Sequence, residues 1–121
     1  MASTDPVRIA QYGVSHAHAS GHASVLSADP EVDFCGVYEP SVDARESAQR
    51  SSGYEGALWF DSADEMLGDD SIVAVAVEGH VHECLAMARE CVDAGKHVWL
   101  DKPAGDVLEE FEEILDIARD K

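Results

Sequence analysis

Short apolar runs alternate with helical spacing along the whole chain. Val7–Tyr12 is apolar and stops at Gly13, which predicts a first strand. His18–Leu26 carries a helical pattern and ends before Asp29-Pro30. Val32–Tyr38 predicts a second strand closed by Glu39-Pro40, and Val42–Arg50 a polar helix followed by Gly53. Ala57–Phe60 predicts a short third strand, with a helical turn at Ala63–Leu67 behind it. Ile72–Val77 is an unbroken apolar run, as expected of a fourth strand buried on both faces. Val81–Ala94 predicts a helix stopped by Gly95, and Val98–Leu100 a fifth strand. Val107, Leu108, Phe111, Ile114, Leu115 and Ala118 then form one apolar stripe on an acidic last helix.

Strands and helices in strict alternation predict an α/β fold, a doubly wound parallel sheet of about five strands with helices on both faces. The 121 residues suit one domain. Charge narrows the partners. Eight Lys and Arg face 25 Asp and Glu, a net charge of −17, which repels nucleic acid and anionic membrane alike. So few basic residues among so many acids also resemble a halophilic composition, in which self-repulsion weakens the fold at low ionic strength. No apolar stretch is long enough to span a membrane, and the first residues have no signal-peptide pattern, so a cytoplasmic location is expected. Cys35, Cys84 and Cys91 lack the pair spacing of a metal site and are expected to be buried free thiols.

The candidate chemistry gathers where strands end. Ala94-Gly95-Lys96-His97-Val98-Trp99-Leu100-Asp101-Lys102-Pro103 reads as a helix end, a glycine stop, a buried strand and a charged pair before proline. Lys102 would thus stand at the carboxyl edge of the sheet, where open α/β sheets bind ligands. A phosphoacceptor receiver domain can have this length and a Lys-Pro here. It also needs clustered carboxylates for Mg²⁺, whereas the first strand ends in Tyr12-Gly13 and Asp61 stands without such partners.

His82, Ala86, Ala88 and the run Ala94–Pro103, with Val7-Arg8-Ile9-Ala10 and Val37-Tyr38-Glu39-Pro40 upstream, resemble the N-terminal NAD(P)-binding Rossmann domain of the glucose–fructose oxidoreductase / inositol dehydrogenase (Gfo/Idh/MocA) family. Asp101 stands where that family usually has Glu. The resemblance implies a dinucleotide cofactor, NAD before NADP, and a hydride exchanged between nicotinamide and a sugar- or polyol-type hydroxyl carbon. It implies a diphosphate-binding turn at Gly13-Val14-Ser15-His16-Ala17-His18, in which Ser15 and His18 replace the second and third glycines. Ser15, His16 and His18 are candidate phosphate partners. Glu39, 26 positions after Gly13 and followed by Pro40, is the candidate acceptor for the adenosine ribose hydroxyls. Glu78, Gly79 and His82 would flank the nicotinamide ribose, although Glu78 adds negative charge beside an anionic cofactor. Lys102, supported by Asp101 and Pro103, is the expected catalytic residue: it would orient the substrate hydroxyl and stabilise a developing alkoxide. The same resemblance implies that the sixth strand and the substrate domain lie beyond Lys121. The chain alone is expected to bind cofactor without turnover, and the complete enzyme is a possible homo-oligomer.

Another reading stays open. His16, His18 and His22 follow the first strand, and His80 and His82 follow the fourth, so five of the six histidines converge on one edge with Glu78. Such a set would suit a transition metal. A nucleotide-sensing domain without catalysis is a third reading.

Overall fold

The computed structural model describes residues 5–100 and 106–120. In chain order the elements are β1 (Val7–Tyr12), α1 (Ala19–Ala28), β2 (Val32–Tyr38), α2 (Val42–Gln49), α3 (Ala63–Leu67), β3 (Ala74–Val77), α4 (Val81–Asp93), β4 (His97–Leu100) and α5 (Leu108–Asp120), with a 3-10 turn at Ser52–Tyr54. The four strands form one sheet in the order β2-β1-β3-β4, and all pairs are parallel. β1 therefore lies between β2 and β3; the connection from β1 runs to β2 on one side, and the connection from β3 runs to β4 on the other. That is a topological switch point, where a crevice opens at the carboxyl ends of the strands.

Local signals explain most of the boundaries. The Ser41 hydroxyl accepts from Ala44 N–H at 3.2 Å and starts α2; the Ser62 hydroxyl accepts from Glu65 N–H at 3.1 Å and starts α3. At the end of α4, Gly95 takes φ +81°, its N–H donates to Val92 O at 3.0 Å, and Lys96 N–H donates to Cys91 O at 3.0 Å. This is a Schellman stop, and it aims the chain directly into β4. The buried Lys96 ammonium then donates to Asp69 O at 2.7 Å, joining the start of β4 to the loop before β3.

Strand periodicity places alternate residues on opposite faces of the sheet. One face packs Ala10, Tyr12, Val75 and Val77 against Cys84, Leu85, Met87, Ala88, Cys91 and Val92 of α4 and Ile114 of α5. The other face packs Val37 with Ala23 of α1, Ala48 of α2 and Tyr54. All three cysteines are buried free thiols, and burial pushes the Cys91 thiol up to about 12.

One element departs from the sequence expectation. Residues Ala57–Phe60 form no strand; Trp59 makes a single bridge to Val37. Val37 N–H donates to Leu58 O at 2.9 Å, and Phe60 N–H donates to Val37 O at 2.8 Å, so only one residue comes into register. Gly56, at φ +74°, turns the chain just before this run, and the Ser62 cap of α3 begins just after it. The predicted five strands become four among the described residues. The fourth predicted strand also shortens, from Ile72–Val77 to Ala74–Val77. Among the described residues, no helix is long and apolar enough to cross a membrane.

Candidate dinucleotide site

Two turns meet at the switch point. Gly13 ends β1 with φ +90°, a conformation that strains any residue with a Cβ. A Cβ at Gly13 would stand 2.8 Å from Gly79 N and 3.0 Å from Gly79 Cα, so the turn after β1 and the turn after β3 touch backbone to backbone. Hydrogen bonds fix the contact: Gly13 N–H donates to Tyr38 O at 2.7 Å, Glu78 N–H to Tyr12 O at 2.8 Å, and His16 N–H to Glu78 O at 2.8 Å. Gly79 is closed on its far side by α4, where an added Cβ would stand 2.6 Å from the Met87 sulfur.

Below the turn runs a buried polar strap. Gln11, fully buried, donates to Gly13 O at 3.0 Å and to the Tyr54 hydroxyl at 2.8 Å. Burial pushes Tyr54 up to about 12, with the Glu78 and Glu39 charges adding to the rise and the Gln11 bond opposing it.

Glu39 sits at the end of β2, only 7% exposed. Its carboxylate accepts from Val14 N–H at 2.9 Å through Oε1 and from Ser41 N–H at 2.8 Å through Oε2. A carboxylate oxygen has capacity for a second donor, so this fixed acceptor still suits a ribose hydroxyl. Pro40, beside it, is exposed. Val14, His16, Ser20, Ala44, Ser47, Ala48, Ser51 and Tyr54 line a cleft of about 270 Å³ between the turn, α1 and α2.

The remaining residues of the turn divide by exposure. His18 is exposed, and its N–H donates to His16 Nδ1 at 3.0 Å. The His16 side chain is only 9% exposed, with Nδ1 3.9 Å from Glu78 Oε2. The Val14, His16 and His18 amides are thus directed at protein acceptors. Among the described residues the Ser15 and Ala17 amides and the Ser15 hydroxyl are not, and they are the donors that fit a diphosphate at the entry to α1.

Glu78 has no solvent exposure, and its Oε1 lies 2.5 Å from His22 Nδ1. The His22 ring stacks on Trp99 at 4.3 Å between centroids. His82 is exposed in the first turn of α4 and stacks on His80 at 5.5 Å. Five of the histidines therefore form two sets. His16 and His18 in the turn and His22 on α1 follow one another, with neighbouring rings 5.1 and 5.9 Å apart, while His80 and His82 pair at the start of α4. Among the described residues no group of three or more His, Cys, Asp or Glu side chains is placed to hold a metal ion. Asp101, Lys102 and Pro103 lie outside the described residues.

Sequence reading missed Gln11, Tyr54 and the pairing of His22 with Glu78. One signal was present: a glutamine inside the apolar run Val7–Tyr12 must find a buried partner. The partner, Tyr54, is 43 positions away and carries no local mark.

A parallel sheet with a glycine turn at its switch point and an acid closing the second strand defines a dinucleotide-binding domain. Comparison with known proteins agrees. The family described as "Oxidoreductase family, NAD-binding Rossmann fold" (GFO_IDH_MocA) matches residues 7–121, and the chain belongs to it as its NAD(P)-binding domain. An uncharacterized oxidoreductase, C115.03, of Schizosaccharomyces pombe is 29% identical over 119 residues, covering 96% of this chain and 32% of that protein. GenD2 from gentamicin A biosynthesis, solved in complex with NAD, is 25% identical with a TM-score of 0.81, over 98% of this chain and 33% of its own. Biliverdin reductase of Synechocystis sp. PCC 6803, solved with biliverdin and NADP+, is 21% identical with a TM-score of 0.79, over 95% of this chain and 35% of its own. The chain thus spans about a third of the length of these relatives.

Proposed function

We propose that this domain binds NAD in preference to NADP and serves an oxidoreductase acting on a sugar- or polyol-type hydroxyl carbon. The observation that carries the cofactor preference is Glu39, buried at the end of β2 with both oxygens fixed by the Val14 and Ser41 amides. A carboxylate held this way accepts from ribose hydroxyls and repels a 2′-phosphate, and it cannot swing aside to admit one. Gly13 and Ser15 belong to the turn that would take the diphosphate, with the exposed His18 beside them, while Gly79 and the exposed His82 would flank the nicotinamide ribose.

The bound cofactor would supply the hydride acceptor. Lys102, which the family resemblance makes the catalytic candidate, would hold the substrate hydroxyl and stabilise the alkoxide as its proton passes to a histidine of the substrate domain that the resemblance implies, with Asp101 orienting the ammonium and Pro103 fixing the backbone. The sugar-type substrate rests on the resemblance alone. Titration calorimetry of NADH and then NADPH into the protein at high salt tests the cofactor reading. The expected result is saturable NADH binding, weaker NADPH binding, and a narrowed ratio in Glu39→Ala. Equal affinity for both, unchanged in Glu39→Ala, would remove Glu39 from the role.

A further inference from the structure

We propose that Gln11 is a positioning residue for cofactor choice: through the Gly13–Val14 peptide it holds Glu39 in the place from which that carboxylate tells NAD from NADP. The proposal rests on the NAD preference assigned to Glu39 and adds the group that keeps it there. Gln11 and Glu39 grip one peptide unit from opposite sides. Gly13 O accepts from Gln11 Nε2 at 3.0 Å, and the N–H of the same unit, on Val14, donates to Glu39 Oε1 at 2.9 Å. In a trans peptide these two groups point in opposite directions and turn together, so the orientation of one fixes that of the other. Gly13, which has no Cβ, restrains that rotation little by itself. Without the Gln11 bond the plane can tilt and draw Val14 N–H away from Glu39. The carboxylate then keeps one amide, Ser41 N–H at 2.8 Å, and can pivot about it.

A glutamine is a costly way to fill this position. It lies in the apolar run of β1, in register with Val37 on β2 and Ala76 on β3, and has no solvent exposure. Its Oε1 finds no hydrogen-bond partner among the described residues, and a buried polar atom left unpaired lowers stability. An aliphatic side chain would avoid that cost, so what the glutamine supplies is its amide nitrogen. The amide orientation follows from the partners: reversed, Oε1 would face the Gly13 carbonyl oxygen, acceptor against acceptor.

The second bond of Nε2, to the Tyr54 hydroxyl at 2.8 Å, aims the first. Tyr54 is itself held from two sides. Its ring lies 5.6 Å from that of Trp59, and the turn that carries it packs so tightly on α1 that a Cβ at Gly53 would collide with Ser20 O. A line of contacts thus runs from α1 through Tyr54, Gln11 and one peptide plane to Glu39.

The test is titration calorimetry of NADH and NADPH into the wild type and into Gln11→Met, which keeps the length of the side chain and removes the donor. The ratio of the NADPH to the NADH dissociation constant should fall by about three- to tenfold in Gln11→Met, the equivalent of one hydrogen bond. Tyr54→Phe leaves the Gly13 bond in place and should lower the ratio by about twofold. It carries the test if Gln11→Met does not fold, and an unchanged ratio there is equally decisive against the proposal. In a Glu39→Ala background Gln11→Met should leave the ratio unmoved, because both residues act on the same discrimination. A merely structural glutamine would weaken both cofactors alike, and an unchanged ratio in Gln11→Met while Glu39→Ala still narrows it overturns this proposal alone. A further narrowing by Gln11→Met on top of Glu39→Ala overturns it as well. A wild type without preference or without binding, or a ratio that Glu39→Ala leaves unchanged, overturns the reading of Glu39 and this proposal with it.

Discussion

The two faces of the sheet are built to different ends. Among the described residues, the α4–α5 face gathers fourteen buried side chains into one cluster, almost all aliphatic, sulfur-bearing or aromatic, whereas the α1–α2 face gathers four. The thinner face instead carries two buried polar contacts under the turn: Gln11 against Tyr54, and Glu78 against His22. Apolar contact is non-directional and stabilises in proportion to area, while a buried polar pair contributes little net energy but fixes geometry. The α4 face thus carries the stability, and the α1 face carries the orientation of the turn.

The largest expected effect separates the faces most directly. Leu85→Ala, on α4 and 3% exposed, should lower unfolding free energy by about 2–4 kcal/mol in urea titrations. Any NADH binding of the folded fraction should remain. Gly13→Ala should do the reverse. A residue with a Cβ at φ +90° that would sit 2.8 Å from Gly79 N should abolish NADH binding, at a stability cost of about 1–3 kcal/mol. If Gly13→Ala bound NADH like the wild type, the division would fail. Tyr54→Phe should cost less, about 1–2 kcal/mol by thermal unfolding, because it removes the acceptor of one buried Gln11 bond.

Much of this contrast was hidden in the sequence, and the reason is physical. Periodicity reports a residue's face, so β1 and β2 matched their predicted bounds of Val7–Tyr12 and Val32–Tyr38, and the turn at Gly13 was legible from a glycine closing an apolar run. Periodicity does not report pairing. Ala57–Phe60 has the composition of a strand, yet only Trp59 finds register, because turns crowd it at both ends. Glu78 read as an acid at a cofactor rim, since the chain gives no sign that His22, 56 positions earlier, reaches it from α1. The position of Glu39 at the end of β2 was legible because its distance from the glycine turn is set by one strand–helix–strand unit, a local length.

Alkaline pH should sharpen the comparison on both faces at once. Tyr54 and Cys91 both have folded values near 12, raised chiefly by burial from ordinary values of 10.0 and 9.0. For an acid raised on folding, the stabilisation is complete below the unfolded value and is lost as pH climbs toward the folded one. Stability should therefore decline from about pH 9 to about pH 12. Cys91→Ala should make that decline shallower at its lower end, as read from urea midpoints across the range. The smallest effect is that of salt. With a net charge of −17, the thermal midpoint should rise by a few degrees as ionic strength climbs from about 0.01 to 1 M, through screening of surface repulsion.

The division of labour between the faces is tested most directly by amide chemical-shift mapping of the ¹⁵N-labelled protein during NADH titration at high salt. The account predicts saturable shifts at Gly13, Ser15, Ala17, Glu39 and Gly79, with the amides along the α4–α5 groove left unmoved. Shifts concentrated between α4 and α5, or none at any concentration, would contradict it.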